Sequence, residues 1–131
     1  MFAIKGIDHL NLNVKSLKLS KEFYKKVFDL DEKESGKSRL GNNYSIIGKK
    51  NGFYLCLYES ITNTESPSGF LNHFGVHITN YDGILKKLEQ ENVPFKYGGH
   101  VEYPESRSVY IVDPNGIEIE ISEKFGGNLD N

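Results

Sequence analysis

Two histidines and one glutamate stand where they could hold a metal ion. His9 and His73 lie 64 residues apart, and Glu120 follows a turn glycine, Gly116, by four residues. Two imidazoles and a carboxylate form a facial ligand set that leaves positions open for water, dioxygen or a substrate oxygen. Each residue taken alone has an ordinary structural role: a strand histidine is usually held by hydrogen bonds, and a strand glutamate is usually solvated. The three rise above that background because they fall at repeat-related or facing positions.

The repeat is visible when the sequence is slid against itself by 64 residues. Ile7-Asp8-His9-Leu10 then falls on Leu71-Asn72-His73-Phe74, and Asn51-Gly52 falls on Asn115-Gly116. Each copy opens with strand alternation, continues into a helix, and closes with an Asn-Gly turn that feeds another strand. The reading is a single domain over residues 1–131, with modules at about 5–60 and 70–124. In the first module Ser16 is expected to cap a helix over about 17–28, with Leu19, Phe23 and Val27 recurring every four residues. In the second, Asp82 is expected to cap a helix over about 82–91, with Ile84, Leu85 and Leu88 on its buried stripe and Pro94 beyond its end. Further strands are expected near 38–47, 53–58, 96–102, 109–112 and 117–122. Residues 61–69 read as a linker, and those after Lys124 as a frayed tail.

Alternate strand residues point to opposite faces. Leu10, Leu12 and Val14 oppose His9, Asn11 and Asn13; Phe74, Val76 and Ile78 oppose His73, Gly75 and His77. In the last strand Ile117, Ile119 and Ile121 oppose Glu118, Glu120 and Ser122. The two amphipathic helices supply a partner for the apolar faces, so the fold class is α+β, a mixed sheet with helices on one side. Three of the four histidines lie on the two equivalent strands, a composition that fits a polar cavity better than a plain solvated face.

Composition narrows the function classes. Hydrophobic residues make up 37% and charged residues 26% of 131, a soluble globular balance. A net charge of −2 gives no field for nucleic acid, and Lys21, Lys25 and Lys26, with Glu22 among them, read as the wet face of a helix. No apolar run approaches a membrane span, the first residues are too short for a signal segment, and a cytoplasmic location is expected. One cysteine, Cys56, excludes an intrachain disulfide and any CxxC site.

Gly6-Ile7-Asp8-His9-Leu10, a helix containing Phe23-Tyr24, Asn72-His73, and Asp113-Pro114-Asn115-Gly116 followed by Glu120 together resemble the vicinal-oxygen-chelate superfamily. That group includes glyoxalase I, extradiol dioxygenases, fosfomycin-resistance enzymes and bleomycin-binding proteins. The resemblance covers about residues 5–123. It implies two βαβββ modules, a cupped sheet with helices on its outer face, and a divalent metal (Fe, Mn, Ni or Zn) on His9, His73 and Glu120. It also implies a small-molecule substrate and commonly a homodimer.

The reaction is read from the second module. Gly98-Gly99-His100, then Val109-Tyr110, Asp113-Pro114-Asn115-Gly116 and Glu120 resemble the extradiol dioxygenase signature, with a gap after His100 one residue longer than that pattern has. The resemblance implies His100 as an acid/base and Tyr110 as a hydrogen-bond donor to a substrate oxygen, and catechol ring cleavage is the favoured expectation. Ser108 and Tyr110 also match the substrate-side strand of the fosfomycin-modifying enzymes, but the cations that grip a phosphonate there have no match in this sequence, Arg107 being only a neighbour. His77 and Asn11, on the faces of His73 and His9, are expected to be further substrate contacts. A glyoxalase-like isomerase or lyase is an alternative, although Cys56 takes the place of the carboxylate that would move the proton. A metal-free drug-binding protein of the bleomycin-resistance kind is another.

Overall fold

The apolar alternation of the sequence is resolved into two βαβββ units, Met1–Pro67 and Ser68–Asn131. The structure, a computed structural model, describes residues 1–4, 6–60, 71–103 and 105–124. The expected linker at 61–69 and the tail after Lys124 lie outside the described residues.

The first unit runs β1 (His9–Val14), α1 (Leu17–Phe28), β2 (Asp31–Lys37), β3 (Asn43–Gly48) and β4 (Tyr54–Glu59). Its sheet has the order β1-β4-β3-β2, with β1 parallel to β4 and the other pairs antiparallel. Leu12, Val14, Ile47, Leu55 and Leu57 are buried on one face. Helix α1 lies against β3 and β4 and buries Ser20, Phe23, Tyr24 and Val27. Leu19, expected on that stripe, is 53% exposed. At 100° per residue the stripe is carried by positions 20, 23, 24 and 27, and Leu19 falls beyond its edge. The strand expected near 38–47 begins only at Asn43, and it is preceded by a strand at Asp31–Lys37 that was not expected. Strand β2 is an exposed edge of charged and small residues with no apolar alternation to betray it.

The second unit repeats the plan: β5 (Phe74–His77), α2 (Tyr81–Gln90), β6 (Val101–Tyr103), β7 (Ser106–Val112) and β8 (Glu118–Ser122). Its sheet has the order β5-β8-β7-β6, with β5 parallel to β8. Val76, Val109, Ile111, Ile119 and Ile121 are buried with Tyr81 and Leu88 of α2. Two boundaries differ from expectation. Helix α2 starts at Tyr81 and is capped by Asn80, whose Oδ1 accepts from the Gly83 amide at 3.1 Å, so Asp82 sits inside the first turn. The strand expected over 96–102 is confined to Val101–Tyr103, because Tyr97, Gly98 and Gly99 all have positive φ and form a turn.

Both helices receive a second cap from the end of the last strand of their sheet. The Leu17 amide donates to Glu59 Oε2 at 2.9 Å, and the Tyr81 amide donates to Glu123 Oε1 at 2.6 Å. The two pairs are related by the 64-residue repeat. A carboxylate satisfies an orphan amide and opposes the positive helix terminus. Replacing Glu123 with alanine should lower stability by about 1 kcal/mol, with glutamine milder because its oxygen still accepts. Thermal denaturation of the two variants checks this, and equal stability of Glu123→Ala and the parent would remove the cap from the account.

Candidate metal centre

The turn that delivers Glu120 is built from its own sequence. Asp113 Oδ1 accepts from the Asn115 and Ile117 amides at 2.8 and 2.9 Å, and Gly116 takes φ 86°. Only glycine adopts that conformation without strain. The chain therefore reverses from β7 into β8 with a fixed register, which sets Tyr110 directly across from Glu120 and Gly75 on its other side. His73 precedes β5 and shares the face of Gly75.

Within this unit the structure brings His73, Glu120, Ser108 and Tyr110 together. His73 Nε2 lies 3.1 Å from Glu120 Oε1. Ligands bound at about 2.1 Å and at right angles would be about 3 Å apart, so these two atoms are spaced as two ligands of one ion. Their outer atoms are already engaged. His73 Nδ1 lies 2.6 Å from Asn72 Oδ1, and the Ser108 hydroxyl donates to Glu120 Oε2 at 2.8 Å. With the Nδ1 proton given to Asn72, a neutral imidazole presents its Nε2 lone pair to a carboxylate. Two acceptors facing each other need a cation between them or a proton on the ring. The residues present therefore fit a divalent metal. Tyr110 is buried, and its ring meets His73 edge-on at 5.7 Å between centroids.

Among the described residues no group of three or more His, Cys, Asp or Glu side chains gathers as a metal cage; the second unit supplies two of the three expected ligands. His9 belongs to the first unit and is half-exposed there. Its Nδ1 is hydrogen-bonded to Asp8, the repeat counterpart of Asn72. On the same sheet Asn11 is exposed and pairs in register with Cys56, whose thiol is pushed up chiefly by burial.

Three expected residues are not brought to His73 and Glu120. Val101 pairs with Ser108 and lines the cavity beside His73, so strand alternation sends His100 and Glu102 to the opposite face. There His100 Nδ1 meets the Tyr81 hydroxyl at 2.9 Å. Arg107, paired with Glu102, stacks over the Tyr81 ring at 4.6 Å and reaches Asp82 at 3.4 Å. His77 remains on the polar face, but its Nε2 is engaged by the Glu123 carbonyl at 2.6 Å.

Other residues join the site that the reading of motifs did not single out. A cavity of about 450 Å³ opens beside His73, lined by Asn72, His73, Tyr97, Val101, Tyr110 and Glu118. Glu118 accepts from the Tyr97 hydroxyl and pairs with Lys96 at 3.0 Å. Burial pushes its carboxyl up, yet the bonds from Tyr97 and Lys96 and the nearby positive charge outweigh that and hold it below the ordinary carboxylate value. Face parity had placed Glu118 beside Glu120, and Asn72 was visible as the repeat partner of Asp8. Tyr97 carried no periodic signal.

Ser108 offers a direct test of this orientation. Ser108→Ala should weaken Mn(II) binding by about tenfold, within the range that loss of a partner behind a metal ligand produces. Calorimetric titration measures it, and unchanged affinity would mean that Ser108 does not orient Glu120.

A family model described as Glyoxalase/Bleomycin resistance protein/Dioxygenase superfamily matches residues 6–121. Among solved structures, a glyoxylase/bleomycin resistance protein/dioxygenase domain from Frankia sp. EAN1pec is 20% identical, covers 95% of this chain and 96% of its own, and superposes with a TM-score of 0.78. A glyoxalase family protein from Enterococcus faecalis is 15% identical over 91% of this chain and 98% of its own, with a TM-score of 0.76. A variant of the fosfomycin resistance protein FosX from Listeria monocytogenes, complexed with Mn(II) and 1S,2S-dihydroxypropylphosphonic acid, is 20% identical over 95% of this chain and 96% of its own, with a TM-score of 0.73.

Proposed function

Because this chain belongs to the Glyoxalase/Bleomycin resistance protein/Dioxygenase superfamily, we propose that it is a metal-dependent enzyme acting on a small oxygen-rich molecule, with a divalent ion held by His9, His73 and Glu120. The observation that carries this reading is the pairing of His73 Nε2 with Glu120 Oε1 at 3.1 Å, each backed by its own hydrogen-bond partner. The third ligand, His9, would come from the first unit of this chain or of a second copy in a homodimer. Mn(II) in the Listeria structure makes that ion a reasonable first choice for loading.

Bound there, a divalent ion would polarise a substrate oxygen and stabilise negative charge on it. The chain's own residues supply the rest. Asn72 and Ser108 keep His73 and Glu120 aimed, so little reorganisation remains at the moment of reaction. Tyr110, across from Glu120 in register, is the candidate donor to a second substrate oxygen. Val101 and the Tyr110 ring present apolar surface, which limits water beside the reacting group.

Among the reactions of the superfamily, the position of His100 weighs against catechol ring cleavage. Its expected proton donor is turned to Tyr81 on the other face. Addition of water or a thiol to a strained or carbonyl substrate needs only an activated oxygen and a positioned nucleophile, and the site favours that class. The diol in the Listeria complex is the kind of product that water addition would leave. The test is to load the protein with Mn(II) and assay epoxides with water or glutathione, alongside hemithioacetals and, with Fe(II), catechols under oxygen. Turnover of an epoxide supports the reading; turnover of a hemithioacetal instead would move the assignment to the isomerase branch, and ring cleavage of a catechol at a comparable rate would return it to the dioxygenase branch.

A further inference from the structure

Tyr97 stands in a backbone conformation that its side chain disfavours. It has φ 57° and Gly98 has φ 73°, and the Gly99 amide donates to the Lys96 carbonyl at 3.3 Å. These are the central positions of a turn that asparagine or glycine fills most readily. A bulky residue at positive φ is an outlier, costing about 1 kcal/mol or more, and persists only when its surroundings hold it. Here the surroundings are visible. The Lys96 amide donates to the Tyr110 carbonyl at 2.8 Å, which pins the turn to β7. The Tyr97 hydroxyl donates to Glu118, and Lys96 lies 5.0 Å from its ring centroid. The ring itself stands edge-on to Tyr110 at 5.3 Å and remains 62% exposed. It therefore serves the cavity rather than the core.

The same contacts decide what the cavity can accept. The Tyr110 ring meets both His73 and Tyr97 at steep angles (71° and 83°), and Val101 lines the same cavity. Among the described residues that line it there is no lysine or arginine. The nearby cation, Lys96, is paired with Glu118, which also accepts a hydrogen bond from the Tyr97 hydroxyl. Apart from Asn72 and the paired Glu118, the described lining is ring and methyl surface, without a free positive charge for a phosphonate or phosphate.

From this we propose that Tyr97 is a specificity-determining residue, and that the body of the substrate beyond its two chelating oxygens is flat, apolar and uncharged, such as an aryl group. The proposal rests on the metal-site reading above and extends it to substrate class. It sets this chain apart from a site made for a small phosphonate dianion.

Benzohydroxamate and acetohydroxamate test it, since both offer the same pair of adjacent oxygens to a metal and differ in phenyl against methyl. On the Mn(II)-loaded full chain, calorimetry should give the phenyl ligand at least tenfold tighter binding. Tyr97→Gly removes the ring and relieves the turn, so it should keep the parent's thermal stability. It should bring the preference down to about twofold while leaving acetohydroxamate within twofold of the parent. Tyr97→Phe, which keeps the ring, should retain the preference. Equal binding of the two ligands by the parent, or parallel weakening of both by Tyr97→Gly, overturns the assignment while the metal site stands. Failure of acetohydroxamate to bind the parent at all overturns the metal reading and, with it, this one.

Discussion

Glu120→Gln should weaken Mn(II) binding by more than about a hundredfold and abolish turnover, while leaving the apo protein as stable as its parent. The carboxylate contributes a full negative charge to the ion, and the amide keeps its shape without that charge. Losing a residue behind a ligand already costs about 10- to 100-fold in affinity, and losing a ligand itself costs more. His73→Ala should act in the same direction, because it removes the nitrogen that lies 3.1 Å from Glu120 Oε1. A simple readout is the thermal shift on adding Mn(II). An ion that binds only the folded state stabilises it by RT ln(1 + [L]/Kd), so the parent should shift upward and both variants should not. A full shift in His73→Ala would remove that residue from the site.

Ile119→Ala should cost about 3 kcal/mol of stability and weaken the metal site at the same time. Ile119 is fully buried in β8, where it pairs with Phe74 of β5 and Ile111 of β7. Truncating a large aliphatic residue in such a position loses its transfer free energy and leaves a cavity, a change of about 2–5 kcal/mol. The same strand carries Glu118 and Glu120 on its other face, so relaxation around the cavity moves the carboxylates. Urea denaturation measures the first effect and metal titration the second. A loss under about 1 kcal/mol would mean that the central strand is not packed as described.

Legibility of this fold in its sequence followed the range of the interactions involved. The faces of β1, β4, β5 and β8 were legible because strand alternation is a local signal, and the 64-residue repeat supplied it twice. Helix α1 was legible to its ends, since Ser16 caps it and its apolar stripe is continuous. Strand β2 was not legible, because an exposed edge strand needs no apolar alternation. The turn at Lys96–Gly99 looks like strand in the sequence, since an aromatic residue ahead of two glycines gives no local warning that it takes a positive φ. The turn also decides the face of His100, which depends on where β6 begins. The carboxylate caps Glu59 and Glu123 bridge 42 residues, beyond any local pattern, yet the repeat relates them and could have drawn attention to them. At the candidate centre the ligand types were readable from His9, His73 and Glu120. Their supports were harder: Ser108 reaches Glu120 only through the pairing of β7 with β8, a register that composition does not encode.

The most direct test of the account is the anomalous diffraction of Mn(II) in crystals of the loaded protein. A single strong peak is expected at about 2.1 Å from Nε2 of His9, Nε2 of His73 and a carboxylate oxygen of Glu120, with Asn72 and Ser108 still bonded behind them. A peak coordinated by other residues, or none at His73 and Glu120 in crystals soaked to saturation, would contradict it.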